Sequence, residues 1–296
     1  MKTTTSTVFG IAALAAAAGL IFAAHGGTLT WTGGSTTSDN FSDAANWSPS
    51  QAPASGDTLV FRGETRTTPY NDLDPDSYTF AKIVFTNDNS AGLSAPFTLT
   101  GNKLKLVGSI TGIKTTSGSL TDTFDLEVEF TGKPWLGVAS TSSRNYVFNK
   151  KVSGPTNQSM ENPGQYQGAV YFNGDIEGFD SFSHPNGPIN VYFRGVNNAF
   201  SHASGYNFNQ GYLYFIDAAT FGPAPIVRSG QGWYSTAGSV YFDPTNDVTI
   251  TAKIGVTAPS QSNNGLTLVN RTAGTTVTFT GDVVESGTKE ANGSDA

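Results

Sequence analysis

A short pattern of apolar and variable positions recurs along most of this chain. It consists of an apolar or aromatic residue, any residue, then Phe or Leu, and its copies follow one another at nearly regular, although not identical, intervals. Residues two positions apart point to the same side of a β-strand, so each copy predicts a short strand whose first and third side chains are buried. The ten copies are Leu59–Phe61, Ile83–Phe85, Leu104–Leu106, Val128–Phe130, Tyr146–Phe148, Val170–Phe172, Val191–Phe193, Leu213–Phe215, Val240–Phe242 and Leu266–Leu268.

The spacing of the copies predicts a coil with one set of strands per turn. Such a strand cannot bury its apolar side alone, and stacking similar units at a fixed period gives a continuous core. We therefore expect an all-β, right-handed parallel β-helix over residues 59–281, with about ten coils and a length of about 50 Å at roughly 4.8 Å per coil. The third-position phenylalanines should point inward and stack on one another: Phe85, Phe130, Phe148, Phe172, Phe193 and Phe215.

Composition favours the same fold class. The 296 residues include 34 Gly, 14 Pro, 20 Phe and 11 Tyr, and only 13% are charged, which is typical of strands joined by tight turns. No segment after the N-terminus repeats apolar residues with a helical period over three turns, so the sequence predicts no helix there.

The N-terminus differs from the rest of the chain. Residues 8–24 form a short apolar run behind Lys2, which predicts a signal peptide over residues 1–26 and hence an exported protein. The alternative is a membrane anchor retained at this end, although no charged residue follows closely enough to stop transfer. We expect no transmembrane span in the mature chain, and a polar tail over residues 282–296. The absence of Cys leaves stability to the stacked apolar interior.

Residues 27–58 precede the first regular coil and contain Trp31 and Trp47. A solenoid exposes its first core layer unless something covers it, so this segment is predicted to be an N-terminal cap. Alternatively, the two tryptophans are exposed and stack on sugar rings.

Parts of the chain resemble secreted bacterial proteins that carry autotransporter-associated β-strand repeats. The resemblance rests on the Trp-Thr-Gly-Gly at residues 31–34, the Asn46-Trp47 pair, the Gly-Asp-Thr-Leu-Val-Phe at residues 56–61, and a full repeat over residues 196–222. It implies a right-handed parallel β-helix at the cell surface, acting as a passenger or an exported structural element. The chain departs from the autotransporter pattern because it has no series of alternating, lipid-facing strands for an outer-membrane barrel.

The charges and acidic clusters restrict the chemistry. A net charge of −7 argues against nucleic acid as a partner, and no cofactor is predicted. Two acidic groups have candidate chemistry: alternate carboxylates that could suit Ca²⁺ at Asp72, Asp74 and Asp76, and an acid and base pair among Asp175, Glu177 and Asp180. The first is more typical of a solvated acidic turn, and the second has no Arg or Lys at a matching offset.

The three histidines give no metal site from sequence. His184 and His202 are separated by close to one coil of chain and could stack on successive coils, but a third ligand is missing nearby. We therefore expect no metal site and no catalytic residue.

The middle positions of the pattern give the strongest candidate surface. Tyr171, Tyr192, Tyr214 and Tyr241 occupy this position in consecutive copies, so they should form a ladder on one solvent-facing sheet. The ladder either stabilises the sheet or binds an extended glycan or a partner surface. We expect an exported, non-enzymatic protein of the cell surface, with a structural or adhesive role toward extracellular glycans or host or cell-surface proteins. The alternatives are a carbohydrate-active β-helix enzyme, either a lyase or a hydrolase, and a carbohydrate-binding module without turnover.

Overall fold

The chain folds into a β-solenoid, which confirms the expected parallel β-helix. Nearly all of the regular structure is β, and every strand pairing but one is parallel in the part of the chain that the structure describes. Three strands and their connecting turns make up one coil, so the solenoid has three faces. The structure is a computed structural model that describes residues 26–86, 95–113, 120–134, 136–139, 144–161, 168–184, 189–208, 211–229, 238–257 and 266–286.

One face is a single sheet of nine parallel strands and is called the tyrosine face below. It is the longest of the sheets in the described residues, with one strand in each coil. Its nine strands compare with the roughly ten coils predicted from the spacing. Its strands are Tyr70–Asn71, Thr98–Gly101, Leu120–Phe124, Arg144–Phe148, Gly168–Phe172, Ile189–Phe193, Tyr212–Phe215, Ser239–Phe242 and Thr267–Asn270.

The second face follows the tyrosine face in each coil. It contains five parallel strands, then the short α-helix Ala218–Phe221, then two further strands. The helix contacts the strands on both sides of it, so it takes the place of one strand in the stack. The strands are Leu104–Leu106, Val128–Phe130, Val152–Gly154, Ile176–Gly178, Asn197–Ala199, Val248–Ile250 and Val277–Phe279.

The third face closes each coil and consists of two sheets in succession. The amide of Glu161 donates to the carbonyl of Pro134 (3.1 Å), which links the second sheet to the first. The first sheet contains Thr28–Trp31, Trp47–Ser48, Thr58–Phe61, Lys82–Phe85, Ile110–Ile113 and Leu136–Ala139. The second sheet contains Met160–Glu161, Phe182–His184, Tyr206–Phe208, Ile226–Ser229, Lys253–Thr257 and Val283–Ser286.

The core is a column of aromatic and aliphatic side chains along the axis of the solenoid. Phe148, Phe172, Phe193 and Phe215 stack in sequence on the tyrosine face, with ring centroids 5.3, 5.5 and 5.0 Å apart, as predicted. These rings are almost completely buried, as expected for inward positions on a strand.

The prediction of one common stack is wrong for Phe85 and Phe130. Both are buried, but Phe85 lies on the third face and Phe130 on the second, where its ring neighbour is Phe179. The reason is that one coil holds three strands, so the same pattern recurs on different faces. The shortest interval between copies, from Phe130 to Phe148, marks a change of face.

The N-terminal segment contains the first parallel strand as well as a covering segment. Thr28–Trp31 pairs in parallel with Thr58–Phe61, so stacking begins inside the residues predicted as a cap. Trp47–Ser48 then pairs antiparallel with the same first strand. Trp31 and Trp47 are buried and meet edge to face with centroids 5.1 Å apart, so the alternative of an exposed sugar platform is wrong.

Two other expectations need correction. The solenoid continues beyond residue 281, because Val283–Ser286 pairs in parallel with Lys253–Thr257; the rest of the predicted tail lies outside the described residues. The chain also forms short helices at Ala44–Asn46 and Ala218–Phe221. These are too short to show a helical period, and the second is fixed by a capping box between Asp217 and Thr220.

The predicted signal peptide falls almost entirely outside the described residues. Among the residues described, no helix has the length and apolar character needed to cross a membrane.

Candidate functional site

The four tyrosines form a continuous ladder on the tyrosine face. Tyr171, Tyr192, Tyr214 and Tyr241 pair in register on four neighbouring parallel strands. Their ring centroids are 4.5, 4.2 and 5.0 Å apart, and successive ring planes differ by 9°, 9° and 16°. The ladder thus runs parallel to the axis of the solenoid, with one ring in each coil.

Register explains both the length and the ends of the ladder. The position that precedes Tyr171 in the stack is Val147, and the position that follows Tyr241 is Val269. In-register strands lie about 4.8 Å apart, so identical planar side chains at one position stack face to face.

Stacking determines which parts of the rings can meet a ligand. Tyr192 and Tyr214 each have a stacked ring on both sides, so both of their ring faces are covered. A sugar ring therefore cannot lie flat on either of them. The ladder therefore presents ring edges and phenolic hydroxyls instead of the broad aromatic platform that many sugar sites use. All four side chains are partly exposed.

The local environment favours the protonated form of two of these phenols. Burial and the neighbouring Tyr192 raise the pKa of Tyr171, against a lowering effect of Arg194. Burial and the neighbouring Tyr192 likewise raise the pKa of Tyr214 well above its ordinary value. A protonated phenol can both donate and accept a hydrogen bond, so these rungs present neutral hydrogen-bonding groups at the outer edge of the ladder.

Two arginines lie beside the ladder, one at each half. The Cζ atom of Arg194 is 5.2 Å from the ring centroid of Tyr171 and 5.5 Å from that of Tyr192. Similar distances to two parallel rings place the guanidinium alongside the pair, level with the space between them. Arg271 holds the equivalent position near Tyr214 and Tyr241, at 5.3 and 5.7 Å.

A shallow cleft separates the two arginines. Its volume is about 140 Å³, and its walls include the side chains of Tyr192, Tyr214 and Ile216. Asp243 also lines it, and its Oδ1 atom lies 2.8 Å from Nε of Arg271. Arg194, by contrast, donates from Nη1 to the amide oxygen of Asn173 at 3.4 Å. The cleft therefore combines phenols, one paired guanidinium and one guanidinium that contacts a neutral amide.

Sequence reasoning found the tyrosines but missed the arginines. A signal was present, because Arg194 is two residues after Tyr192 and therefore on the same side of an extended strand. Arg271 could not be found this way, since it belongs to a coil whose middle position is Val269.

The acidic residues Asp175, Glu177 and Asp180 are each held by a different partner. Asp175 accepts the amide of Val196 at 2.9 Å. Glu177 lies 3.3 Å from Nζ of Lys151 on the adjacent coil, a basic partner that the sequence did not reveal. Asp180 lies 3.6 Å from Nδ1 of His202. Each of the three carboxylates thus has a different partner. None of these contacts brings two of the three carboxylates together.

The other acidic cluster is also divided. Asp72 accepts hydrogen bonds from the amide and the hydroxyl of Ser42, whereas Asp76 pairs with Lys105 at 3.3 Å. Hydrogen bonds from the amide of Asp76 and the hydroxyl of Ser77 lower the pKa of Asp74. In the part of the chain that the structure describes, no three His, Asp or Glu side chains are grouped so that they could hold a metal ion.

The suggested stacking of two histidines is wrong. His184 pairs in register with Phe208 on the next coil, while His202 lies in the turn before that strand. A turn residue is out of register with the strand, which explains why an interval close to one coil does not produce a stack here. His25 lies outside the described residues.

The fold and this surface define the chain as a parallel β-helix protein with an external tyrosine ladder. Comparison with protein-family models, with curated proteins and with solved structures finds no significant match to this chain.

Proposed function

We propose that this protein is an exported, non-enzymatic β-helix of the cell surface that adheres to extracellular glycans through the tyrosine ladder. In this proposal the solenoid is a passenger-like display structure, and the ladder is its contact surface. Cell-surface or host proteins that carry such glycans are the partners that this role implies.

The observation that carries the proposal is the geometry of the ladder. Four phenols repeat every 4.2–5.0 Å along the axis, and two guanidinium groups lie beside them. A straight row of polar groups with this repeat suits an extended polymer that runs along the rod. Hydroxyl and guanidinium groups supply the hydrogen bonds that sugar hydroxyls and ring oxygens require.

The arrangement of carboxylates supports a non-enzymatic role. Glycoside hydrolysis generally needs two carboxyl groups that face each other across the scissile bond. The distance between them determines whether the configuration of the sugar is inverted or retained. Asp175, Glu177 and Asp180 instead contact Val196, Lys151 and His202 respectively.

Export rests on the sequence of residues 1–26 and has its own test. The secreted protein, purified from culture medium or from the cell surface, should begin near Gly27 when its N-terminus is sequenced. Recovery from the cytosol with residues 1–26 intact would overturn this part of the proposal.

Protection from chemical modification tests the location of the contact. The protein is treated with tetranitromethane, which nitrates accessible tyrosines, with and without excess hydroxyethylcellulose or carboxymethylcellulose. Bound polymer should protect Tyr192 and Tyr241, because it covers their hydroxyls. Tyr171 and Tyr214 are not used for this readout, since tetranitromethane reacts with the phenolate and their raised pKa slows the reaction. Tyr70 is the matched control: it is 44% exposed on the same sheet and lies outside the ladder. The proposal would be contradicted if neither polymer reduced the nitration of these ladder tyrosines.

A further inference from the structure

We infer that Arg194 makes the ladder selective for carboxylated polysaccharides over neutral ones. This inference rests on the proposed function and adds the chemical class of the ligand. It depends on how the charges beside the ladder are paired.

Arg194 is positioned to receive an anion. Its side chain is exposed, and no carboxylate of the described residues lies within ion-pair distance of it. Its contact at Asn173 is a long hydrogen bond of 3.4 Å to an amide oxygen. The amide nitrogen of Asn173 donates in turn to Asn149 at 2.9 Å, so this side chain is held in place by the neighbouring coil. The positive charge of Arg194 beside Tyr171 and Tyr192 is thus not matched by a carboxylate of the described residues.

Arg271 lies on the same surface but differs from Arg194, because a carboxylate compensates its charge. Asp243 lies 2.8 Å from it and also lines the cleft that faces Arg194. The three side chains together carry one net positive charge, and Arg194 is its source. These three groups are therefore net positive, on a chain whose formal charge is −7.

The chemistry of these groups favours a carboxylate. A guanidinium offers two parallel N–H donors that match the two oxygens of a carboxylate, and such charge-assisted bonds are about twice as strong as neutral ones. The neighbouring phenols can donate hydrogen bonds to the same group or to adjacent hydroxyls. A neutral polymer can use the phenols but leaves the charge of Arg194 unmatched.

The test compares two polymers with the same backbone. Affinity of the whole chain is measured for carboxymethylcellulose and for hydroxyethylcellulose at low and at high NaCl concentration. Wild type should prefer the carboxylated polymer by about tenfold at low salt, and screening should reduce this preference as the salt concentration rises. Arg194→Gln should abolish the preference, because it lowers affinity for the carboxylated polymer by about tenfold and affinity for the neutral polymer by much less.

Two further variants sharpen the result. Asp243→Asn should increase the preference for the carboxylated polymer, because it leaves the charge of Arg271 uncompensated. Arg62→Gln is the control, since Arg62 is an exposed arginine that follows a strand of the third face. This control should bind both polymers as wild type does.

The outcomes separate the inference from the proposed function. If replacing ladder tyrosines weakens binding to both polymers while Arg194→Gln leaves their ratio unchanged, the inference is wrong and the proposed function stands. If wild type binds neither polymer, both are overturned. If Arg62→Gln lowers the ratio as much as Arg194→Gln does, the preference reflects total charge and the inference is wrong.

Discussion

The rings of Tyr192 and Tyr214 lie in register on neighbouring strands, with centroids 4.2 Å apart and planes 9° apart. This separation is smaller than the usual spacing between strands of about 4.8 Å. The two rings therefore lean toward each other and make close face-to-face contact. The same pair contributes hydroxyls to the outer surface, so the ladder joins a structural role, through its ring faces, to a surface role, through its edges.

The buried phenylalanine stack should carry much of the stability. Replacing Phe193 with Ala removes a ring that stacks on Phe172 and Phe215, and we expect the free energy of unfolding to fall by about 3–5 kcal/mol. Phe279→Ala is the matched control in the last coil, where the ring is partly exposed, and its cost should be clearly smaller. Chemical denaturation measures both, and equal losses would contradict the account of the core.

A glycine at the end of a strand should be sensitive for two separate reasons. Gly101 has φ +102°, and a Cβ there would lie 2.4 Å from the carbonyl oxygen of Asn71 on the adjacent coil. Gly63 has φ +85° but has no heavy atom within 4 Å of the same position. Gly63→Ala should therefore cost about 1 kcal/mol of strain, and Gly101→Ala should cost more because a coil must shift. Thermal unfolding of the two variants checks this order; the reverse order would show that packing between coils is looser than described.

A buried ion pair should give the protein an unusual pH dependence. Asp122 and Arg144 pair inside the core with both side chains fully buried. Burial raises the pKa of Asp122 from 3.8 to about 6, and this effect exceeds the lowering by Arg144. The folded state thus holds the proton of Asp122 more tightly than the unfolded state does.

The sign of the effect follows from this difference. The contribution of Asp122 to stability is fully present below about pH 4 and is lost as the pH rises to about 6, an amount on the order of 3 kcal/mol. Carboxyl NMR should give a midpoint near 6 for Asp122. In the Asp122→Asn variant the loss of stability between these pH values should be absent. A midpoint at or below 4 would contradict the prediction.

The apolar pattern is sufficient to predict the fold class, because it depends on a period-2 strand and on a regular spacing. It is also sufficient to place Tyr171, Tyr192, Tyr214 and Tyr241 on one sheet, since equal positions in successive copies share a register. The number of strands in each coil is not accessible in this way, because short strands on the other faces, such as Val152–Gly154, lack the pattern.

Contacts that depend on the closing of a coil could not be predicted from sequence. Arg271 reaches the ladder from the following coil, and Lys151 reaches Glu177 across a full coil of chain. Asp122 and Arg144 occupy inward positions where the pattern of the chain predicts apolar side chains. In each case the partner is set by which coils are adjacent, and local spacing does not contain that information.

The central claim is that the tyrosine ladder binds glycans, whereas the buried core provides the stability of the fold. It is tested most directly by two measurements on the Tyr192→Ser, Tyr214→Ser double variant. These are its affinity for carboxymethylcellulose and its thermal midpoint, each relative to wild type. Four ring contacts are lost, three within the ladder and the tilted contact between Tyr214 and Tyr212. At about 0.2–1 kcal/mol each, the midpoint should fall by no more than about 10 °C. Affinity should fall by about tenfold or more, as expected when central side chains of a contact surface are removed. A steep fall of the midpoint with unchanged affinity per folded molecule would contradict the claim and leave the tyrosines as scaffold.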